Sequence, residues 1–271
     1  MSHSAVLMGI VNVTPDSFSD GGQFREAEQA VAHALRLVEE GADWLDVGGE
    51  STRPGSLPVS AQEEMDRVLP VIEGIRAHLP GAPISIDTQK AAVARAAVAA
   101  GAGIINDVSA LGDPEMGPLV AESGADVVLM HMRGQPKTMQ RQTHYEDLVG
   151  EVEAHLLRQA AVLHRLGVDR ERIILDPGVG FGKAPRDNPR LIAAVPRFRS
   201  HGYRVLVGAS RKRFIGDLTG VAHAADRVHG SVGAALAAVA RGADIVRVHD
   251  VAATSHALTV FCAVERESVG A

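Results

Sequence analysis

Eight short apolar runs in this chain each end in a polar residue able to do chemistry. The runs span 6–13, 44–48, 84–88, 104–108, 127–132, 173–178, 204–210 and 245–250. Their polar residues are Asn12, Asp46, Asp87, Asn106, His131 and Asp176, then Lys212 just beyond the seventh run, then Arg247 and His249 in the eighth. Asp87, Asn106 and Asp176 each sit among aliphatic neighbours. A carboxylate there is costly to bury unless it is paired or hydrogen-bonded. One such residue reads as a loop-capping acid. Three on separate runs suit recognition of a heterocycle, by accepting hydrogen bonds from its ring NH and amino groups.

Cations cluster late in the chain. Ser210-Arg211-Lys212-Arg213 follows the seventh run, and Arg247-Val248-His249 lies in the eighth. Earlier, Gly48-Gly49-Glu50-Ser51-Thr52-Arg53-Pro54-Gly55 offers a hydroxyl at Thr52 and a planar fork of donors at Arg53, which suits phosphate oxygens. Asn12 has two readings, a strand-terminating turn residue or an oxygen ligand for a hard cation such as Mg²⁺. Asp176-Pro177-Gly178-Val179-Gly180-Phe181-Gly182-Lys183 lacks the spacing of a Walker A loop, and Lys183 is followed by Ala184. Its glycines are expected to let backbone approach a ligand, with Phe181 as a wall for an aromatic substrate. His131 reads as a satisfied core histidine and Cys262 as a core residue. No Cys/His cluster has zinc spacing, and there is no Gly-x-Ser-x-Gly elbow.

Helical patterns fall between the strands, over 26–40, 61–79, 90–100, 113–123, 145–166, 188–200, 225–241 and 252–265, with apolar residues at i, i+3, i+4 spacing or nearly continuous Ala and Val. Glycines follow several of them, at Gly41, Gly101, Gly124, Gly167, Gly202 and Gly242, where a helix exit calls for positive φ. Gly41-Ala42-Asp43, Gly101-Ala102-Gly103, Gly124-Ala125-Asp126 and Gly242-Ala243-Asp244 form a weak repeat, read as a recurrent helix-to-strand turn. Strands alternating with helices imply a parallel sheet. Eight units predict a single (β/α)8 TIM barrel over 1–271, with functional side chains at the C-terminal ends of the strands. Phosphate sites in that fold often form after strands seven and eight. Long polar connections over 14–25, 50–60 and 133–144 are expected at the same end, as lids or binding loops.

The bulk numbers narrow the class. The 271 residues fit one barrel, and 46% hydrophobic with 22% charged residues is ordinary for a globular chain. A net charge of −6 argues against a general nucleic-acid binder. No segment nears the roughly 18 apolar residues of a membrane span. The opening stretch has no basic region and only a short apolar run, so no signal peptide is expected. One cysteine excludes an intramolecular disulfide and fits a reducing compartment. The expectation is a cytoplasmic protein.

Together the segments from Asn12 to Gly22, Gly48 to Gly55, Ile86-Asp87-Thr88, Asn106-Asp107-Val108-Ser109, Leu129-Met130-His131-Met132, Asp176-Pro177-Gly178, Ser210-Arg211-Lys212 and Arg247-Val248-His249-Asp250-Val251 resemble bacterial dihydropteroate synthases. The resemblance runs from about Met8 to about Val251. It implies condensation of 6-hydroxymethyl-7,8-dihydropterin diphosphate with 4-aminobenzoate, giving 7,8-dihydropteroate and diphosphate for folate synthesis, with sulfonamides competing for the aminobenzoate site. It implies that Asp87, Asn106, Asp176 and Lys212 hold the pterin, with Asp87, Asp176 and Lys212 catalytic. Asn12 would serve Mg²⁺, while Thr52, Arg53, Arg247 and His249 would handle the diphosphate. Phe18 and Phe181 would help form the aminobenzoate pocket, and a homodimer is expected. Arg213 departs from the Ser that many members carry near the aminobenzoate carboxylate, although Arg also occurs there in the family, so activity is expected to be kept while sulfonamide sensitivity is left open. Two rivals are a methyltetrahydrofolate–corrinoid methyltransferase and an inactive pterin-binding paralogue. The first has no need of the Ser-Thr-Arg-Pro-Gly loop with Arg247 and His249.

Overall fold

In the computed structural model, which describes residues 5–13, 22–52 and 55–268, eight parallel strands close into a barrel in chain order. They are β1 (Val6–Asn12), β2 (Trp44–Gly48), β3 (Ile84–Asp87), β4 (Ile104–Asp107), β5 (Asp126–Met130), β6 (Ile173–Asp176), β7 (Arg204–Val207) and β8 (Ile245–Val248). β8 returns to β1 with Val6 opposite Ile245 and Met8 opposite Arg247. The predicted fold and every predicted strand are therefore present. Phe18 and Arg53 lie outside the described residues, as do parts of the connections over 14–25 and 50–60 that carry them.

Strand alternation builds the site. An inner apolar layer consists of Met8, Ile104, Val128, Ile174, Leu206 and Ile245. Side chains along a strand repeat their direction every second residue. Two positions further on from five of these lie Ile10, Asn106, Met130, Asp176 and Arg247, so the layer above is largely polar. The aliphatic residues facing the other way form a second, larger core between barrel and helices. At the opposite end, Arg204 pairs with Asp126 at 2.6 Å and lies over Trp44, closing the floor.

The helices are α1 (Gly22–Glu39), α2 (Ala61–His78), α3 (Ala91–Ala99), α4 (Met116–Ser123), α5 (Leu148–Arg165), α6 (Asp187–Ala193), α7 (Val195–Arg199), α8 (Arg213–Thr219), α9 (Val228–Val239) and α10 (Val251–Ser268). α2 starts on Ser60, whose hydroxyl accepts from the Glu63 N–H at 3.1 Å, a side-chain cap for an otherwise orphaned donor. The helix expected over 188–200 is instead two, because Pro196 has no N–H to continue the ladder past Ala194. Seven-residue α8 was not expected; it is too short to show an amphipathic period. The exit glycines behave as predicted, with φ of 105° at Gly41 and 114° at Gly101. Within the recurrent turn, Asp43 accepts from the Leu7 N–H at 2.8 Å and Asp244 from the Val205 N–H at 2.9 Å. Each acid thus ties its turn to the preceding strand, a structural role.

Candidate active site

The centre of the mouth is a buried ionic network. Asp46 is fully buried, and its Oδ2 accepts from Arg247 Nε at 2.5 Å and from Asn106 Nδ2 at 3.0 Å. Arg247 Nη2 donates to Asp87 Oδ2 at 2.7 Å. Because the Asn106 amide nitrogen is committed to Asp46, its carbonyl oxygen is left to face the other way as an acceptor. Asp46 Oδ1 and Asp87 Oδ1 are buried and have no hydrogen-bond partner among the described residues. An unsatisfied buried acceptor costs about 1–3 kcal/mol. Acceptors kept at that cost in a polar mouth suit a ligand that brings donors.

Strand register brings the rest to the same rim. Asn12 is level with Gly48, Gly48 with Asp87, and Asp87 with Asn106, so the ends of four consecutive strands form one row. Asp176, opposite Met130, ends β6 and accepts from the Gly178 N–H at 2.7 Å. Burial pushes the Asp176 carboxyl up to about 6, against the pull of the Gly178 N–H and of Lys212 and Lys183. Burial likewise pushes Asp87 up to about 7, partly offset by Arg247. Lys212 is brought down to about 8, by burial and the Arg247 charge, with Asp176 and Asp87 opposing. Burial also works against the Arg247 cation, but Asp46 and Asp87 outweigh it and hold it charged. The mouth therefore holds two carboxyls and an amine that all titrate near neutrality.

The basic run after β7 divides three ways. Arg211 is spent on a two-pronged pair with Asp250, at 2.5 and 3.0 Å. Arg213 points out, its side chain 84% exposed. Only Lys212 turns into the mouth, where its Nζ lies 3.9 Å from the centroid of the Phe181 ring. His249 Nδ1 lies 3.0 Å from Ser210 Oγ, and the same hydroxyl accepts from the His249 N–H at 3.2 Å. Arg247, expected among diphosphate ligands, lies in the carboxylate network. Thr52 is half-buried on the connection after β2. Behind it, Lys90 bridges Glu50 and Glu64, tying that connection to α2.

Phe181 packs with Val108, Met130 and Met139 into an apolar wall beside the acids. The glycines around it require a correction. They were expected to admit a ligand; they admit the protein's own atoms. A Cβ on Gly178 would stand 1.9 Å from the His131 carbonyl oxygen, and one on Gly182 would stand 2.8 Å from that of Arg133. His131 is structural as expected, buried and accepting from Lys183 at both its carbonyl and Nδ1. Asp46 stands among the strand-end polar residues, and nothing in the sequence assigned it a role. Its signal, an acid between Leu45 and Val47, was the same as that of Asp87.

Comparison with known proteins bears on this geometry. A family model described as "Pterin binding enzyme" matches residues 8–249. The dihydropteroate synthase of Neisseria meningitidis serogroup B is 51% identical over 261 residues, 94% of this chain and 91% of that protein. That of Escherichia coli K12 is 45% identical over 260 residues, covering 96% and 91%. The chain belongs to the dihydropteroate synthase family. Solved members of this family superpose closely. The Xanthomonas albilineans dihydropteroate synthase with 4-aminobenzoic acid has a TM-score of 0.91 at 54% identity, covering 96% of this chain and 93% of that one. A complex of the same organism's enzyme with 7,8-dihydropteroate has a TM-score of 0.88 at 51% identity, covering 96% and 94%. In this member of the dihydropteroate synthase family, the barrel mouth is the candidate active site.

Proposed function

We propose that this chain condenses 6-hydroxymethyl-7,8-dihydropterin diphosphate with 4-aminobenzoate, releasing 7,8-dihydropteroate and diphosphate. The observation that carries the reading is the set of Asp87, Asn106, Asp176 and Lys212 around one buried mouth, where Asp87 Oδ1 is a buried acceptor with no hydrogen-bond partner among the described residues. Membership of the dihydropteroate synthase family supports it. Asp87 and Asp176 accept from the ring NH and amino groups of the pterin, Asn106 presents its carbonyl, and Lys212 donates. The C–O bond at the pterin methylene breaks, the pair of electrons leaves with the diphosphate, and the aminobenzoate nitrogen forms the new C–N bond and loses a proton. Positive charge that develops on the methylene and ring during this step faces the two carboxylates. Such preorganised electrostatics contributes more than a side-chain nucleophile here. Thr52, Arg53, His249 and, once freed from the acids, Arg247 hold the diphosphate. Phe18 and Phe181 flank the aromatic amine, and in-line placement supplies the rest of the rate.

The donor set fits Mg²⁺ arriving with the substrate. Asn12 ends β1 level with Gly48 and is half-buried at the rim. No group of three His, Cys, Asp or Glu able to hold a metal exists among the described residues. Mg²⁺ usually takes one or two protein oxygens and fills its shell with phosphates and water. When bound, it supplies charge neutralisation on the departing diphosphate. The chain acts as a homodimer in the cytoplasm, on small molecules and on neither nucleic acid nor membrane. The family relationship supports the dimer. Among the described residues no helix is long and apolar enough to cross a membrane, and the net charge is −6.

Diphosphate release from the pterin diphosphate, measured with and without 4-aminobenzoate, tests the reading. Release that rises with 4-aminobenzoate, together with dihydropteroate formation, is the expected result. Pterin binding with no release would identify an inactive paralogue, and methyl transfer to a corrinoid partner would identify the rival enzyme.

A further inference from the structure

Lys183 is one of the largest fully buried side chains, 2% exposed, yet the chemistry above does not use it. Its Nζ lies 2.8 Å from the His131 carbonyl oxygen and 2.9 Å from His131 Nδ1. Burial holds the amine well below its ordinary pKa, aided by the Lys212 and Arg133 charges and opposed by Asp176. Burial and the Lys183 charge bring His131 down to about 2, so its ring is neutral. With Nδ1 accepting, the ring proton sits on Nε2. A buried amine is tolerated only when its donors are placed, and here both placed donors run to one residue at the end of β5.

That tie closes the back of the 178–183 segment, which carries Phe181. The segment has no ladder of its own between β6 and α6. Three of its residues are glycines at positive φ, Gly178, Gly180 and Gly182, the type with most conformational freedom to lose on folding. It is held from outside. Asn188 Oδ1 accepts from the Gly180 N–H at 2.6 Å, Tyr145 donates to the Gly182 carbonyl at 2.9 Å, and Gln140 donates to the Gly180 carbonyl at 3.2 Å. Lys183 adds the buried end of this set.

We propose that Lys183 and His131 are a positioning pair for the second substrate, holding the 178–183 segment so that Phe181 presents its ring to the aromatic amine beneath Lys212. The inference rests on the synthase reading. The pair touches no substrate. It acts through Phe181, and misplacement of a reacting group by about 1 Å can cost about a hundredfold in rate.

The test is Lys183→Met, which keeps length and removes the donors, with His131→Leu removing the Nδ1 acceptor while leaving the backbone carbonyl in place. Both are expected to raise the KM for 4-aminobenzoate at least tenfold while the Kd for pterin diphosphate, by calorimetry, stays within threefold. His131→Asn, which keeps an acceptor near the Nδ1 position, is expected to restore KM to within threefold of wild type. Amide hydrogen exchange over 178–183 in the ligand-free protein is expected to quicken at least tenfold in Lys183→Met and His131→Leu. Unchanged KM and exchange in both variants of an active enzyme would overturn the pair. Equal losses in pterin and aminobenzoate binding would also overturn it, leaving a general structural role. A wild-type chain that makes no dihydropteroate would instead overturn the synthase reading, and the exchange measurement would still decide the tie.

Discussion

Arg247 Nε lies 2.5 Å from Asp46 Oδ2, joining two residues 201 positions apart in the chain. The same oxygen receives the Asn106 amide. One buried carboxylate thus orients both a cation and an amide of the mouth. Asp46→Asn is expected to lower kcat/KM about tenfold to a hundredfold. A charge-assisted hydrogen bond contributes about 1.5–3 kcal/mol, at 1.36 kcal/mol per tenfold in rate. Asp46→Ala, which also strips a partner from a mostly buried Arg247, is expected to destabilise the fold by about 3–5 kcal/mol. Steady-state kinetics and chemical denaturation check the two. Wild-type kinetics in Asp46→Asn would remove the orienting role.

The pH–rate profile should be a narrow bell. Asp176 at about 6 and Asp87 at about 7 must be ionised to accept from the pterin and to face its positive charge. Lys212 at about 8 must keep its proton to donate. kcat/KM is therefore expected to rise between roughly pH 6 and 7 and to fall above roughly pH 8, limbs that belong to the coupled group. A profile flat from pH 5 to 9 would contradict these assignments.

Asp176→Asn separates function from stability. The folded carboxyl is raised to about 6, so the native state holds its proton more tightly than the unfolded chain. That contribution is present below the ordinary carboxylate range, about 4, and is lost as pH rises to about 6. Removing the charge is thus expected to stabilise the fold well above pH 6, by about 3 kcal/mol, with no gain below pH 4. Turnover is expected to fall at least a hundredfold, as in Lys212→Ala. Thermal melts at pH 4 and pH 8 beside rate measurements decide it. Near-normal rates in both variants would empty the pterin pocket of its assigned residues.

Asn12→Ala should change the Mg²⁺ requirement rather than the pterin affinity. Chelation is expected to abolish turnover of the wild type. The variant is expected to need at least tenfold more Mg²⁺ for half-maximal rate, with little change in its binding of a pterin lacking the diphosphate. An unchanged Mg²⁺ titration would free Asn12 from the metal.

Arg213 is 84% exposed at the start of α8 and 3.8 Å from Asp217. It offers a flexible cation beside Lys212 in place of a small hydroxyl. Arg213→Ser is expected to shift the inhibition constant of a sulfonamide competing with 4-aminobenzoate by about threefold or more, with kcat changed less than twofold. Equal inhibition of the two proteins would place Arg213 out of reach of the second substrate.

Strand order, helix order and the inward-facing acids were open to a reader of the chain alone. Period-two alternation and a glycine after most helices are local properties, carried by neighbours within a few residues. Asp87, Asn106 and Asp176 stood out because a charged or amide group in an aliphatic run needs a reason wherever the run goes. The partner of each group was not legible. That Arg247 is held by Asp46 and Asp87 depends on the register with which β8 closes against β1. That Gly178 abuts the His131 carbonyl, and that Lys183 buries its amine there, depends on how two loops from adjacent strands stack. Residue type and spacing decided which groups face inward. Closure of the ring, a property of all eight strands at once, decided which of them meet.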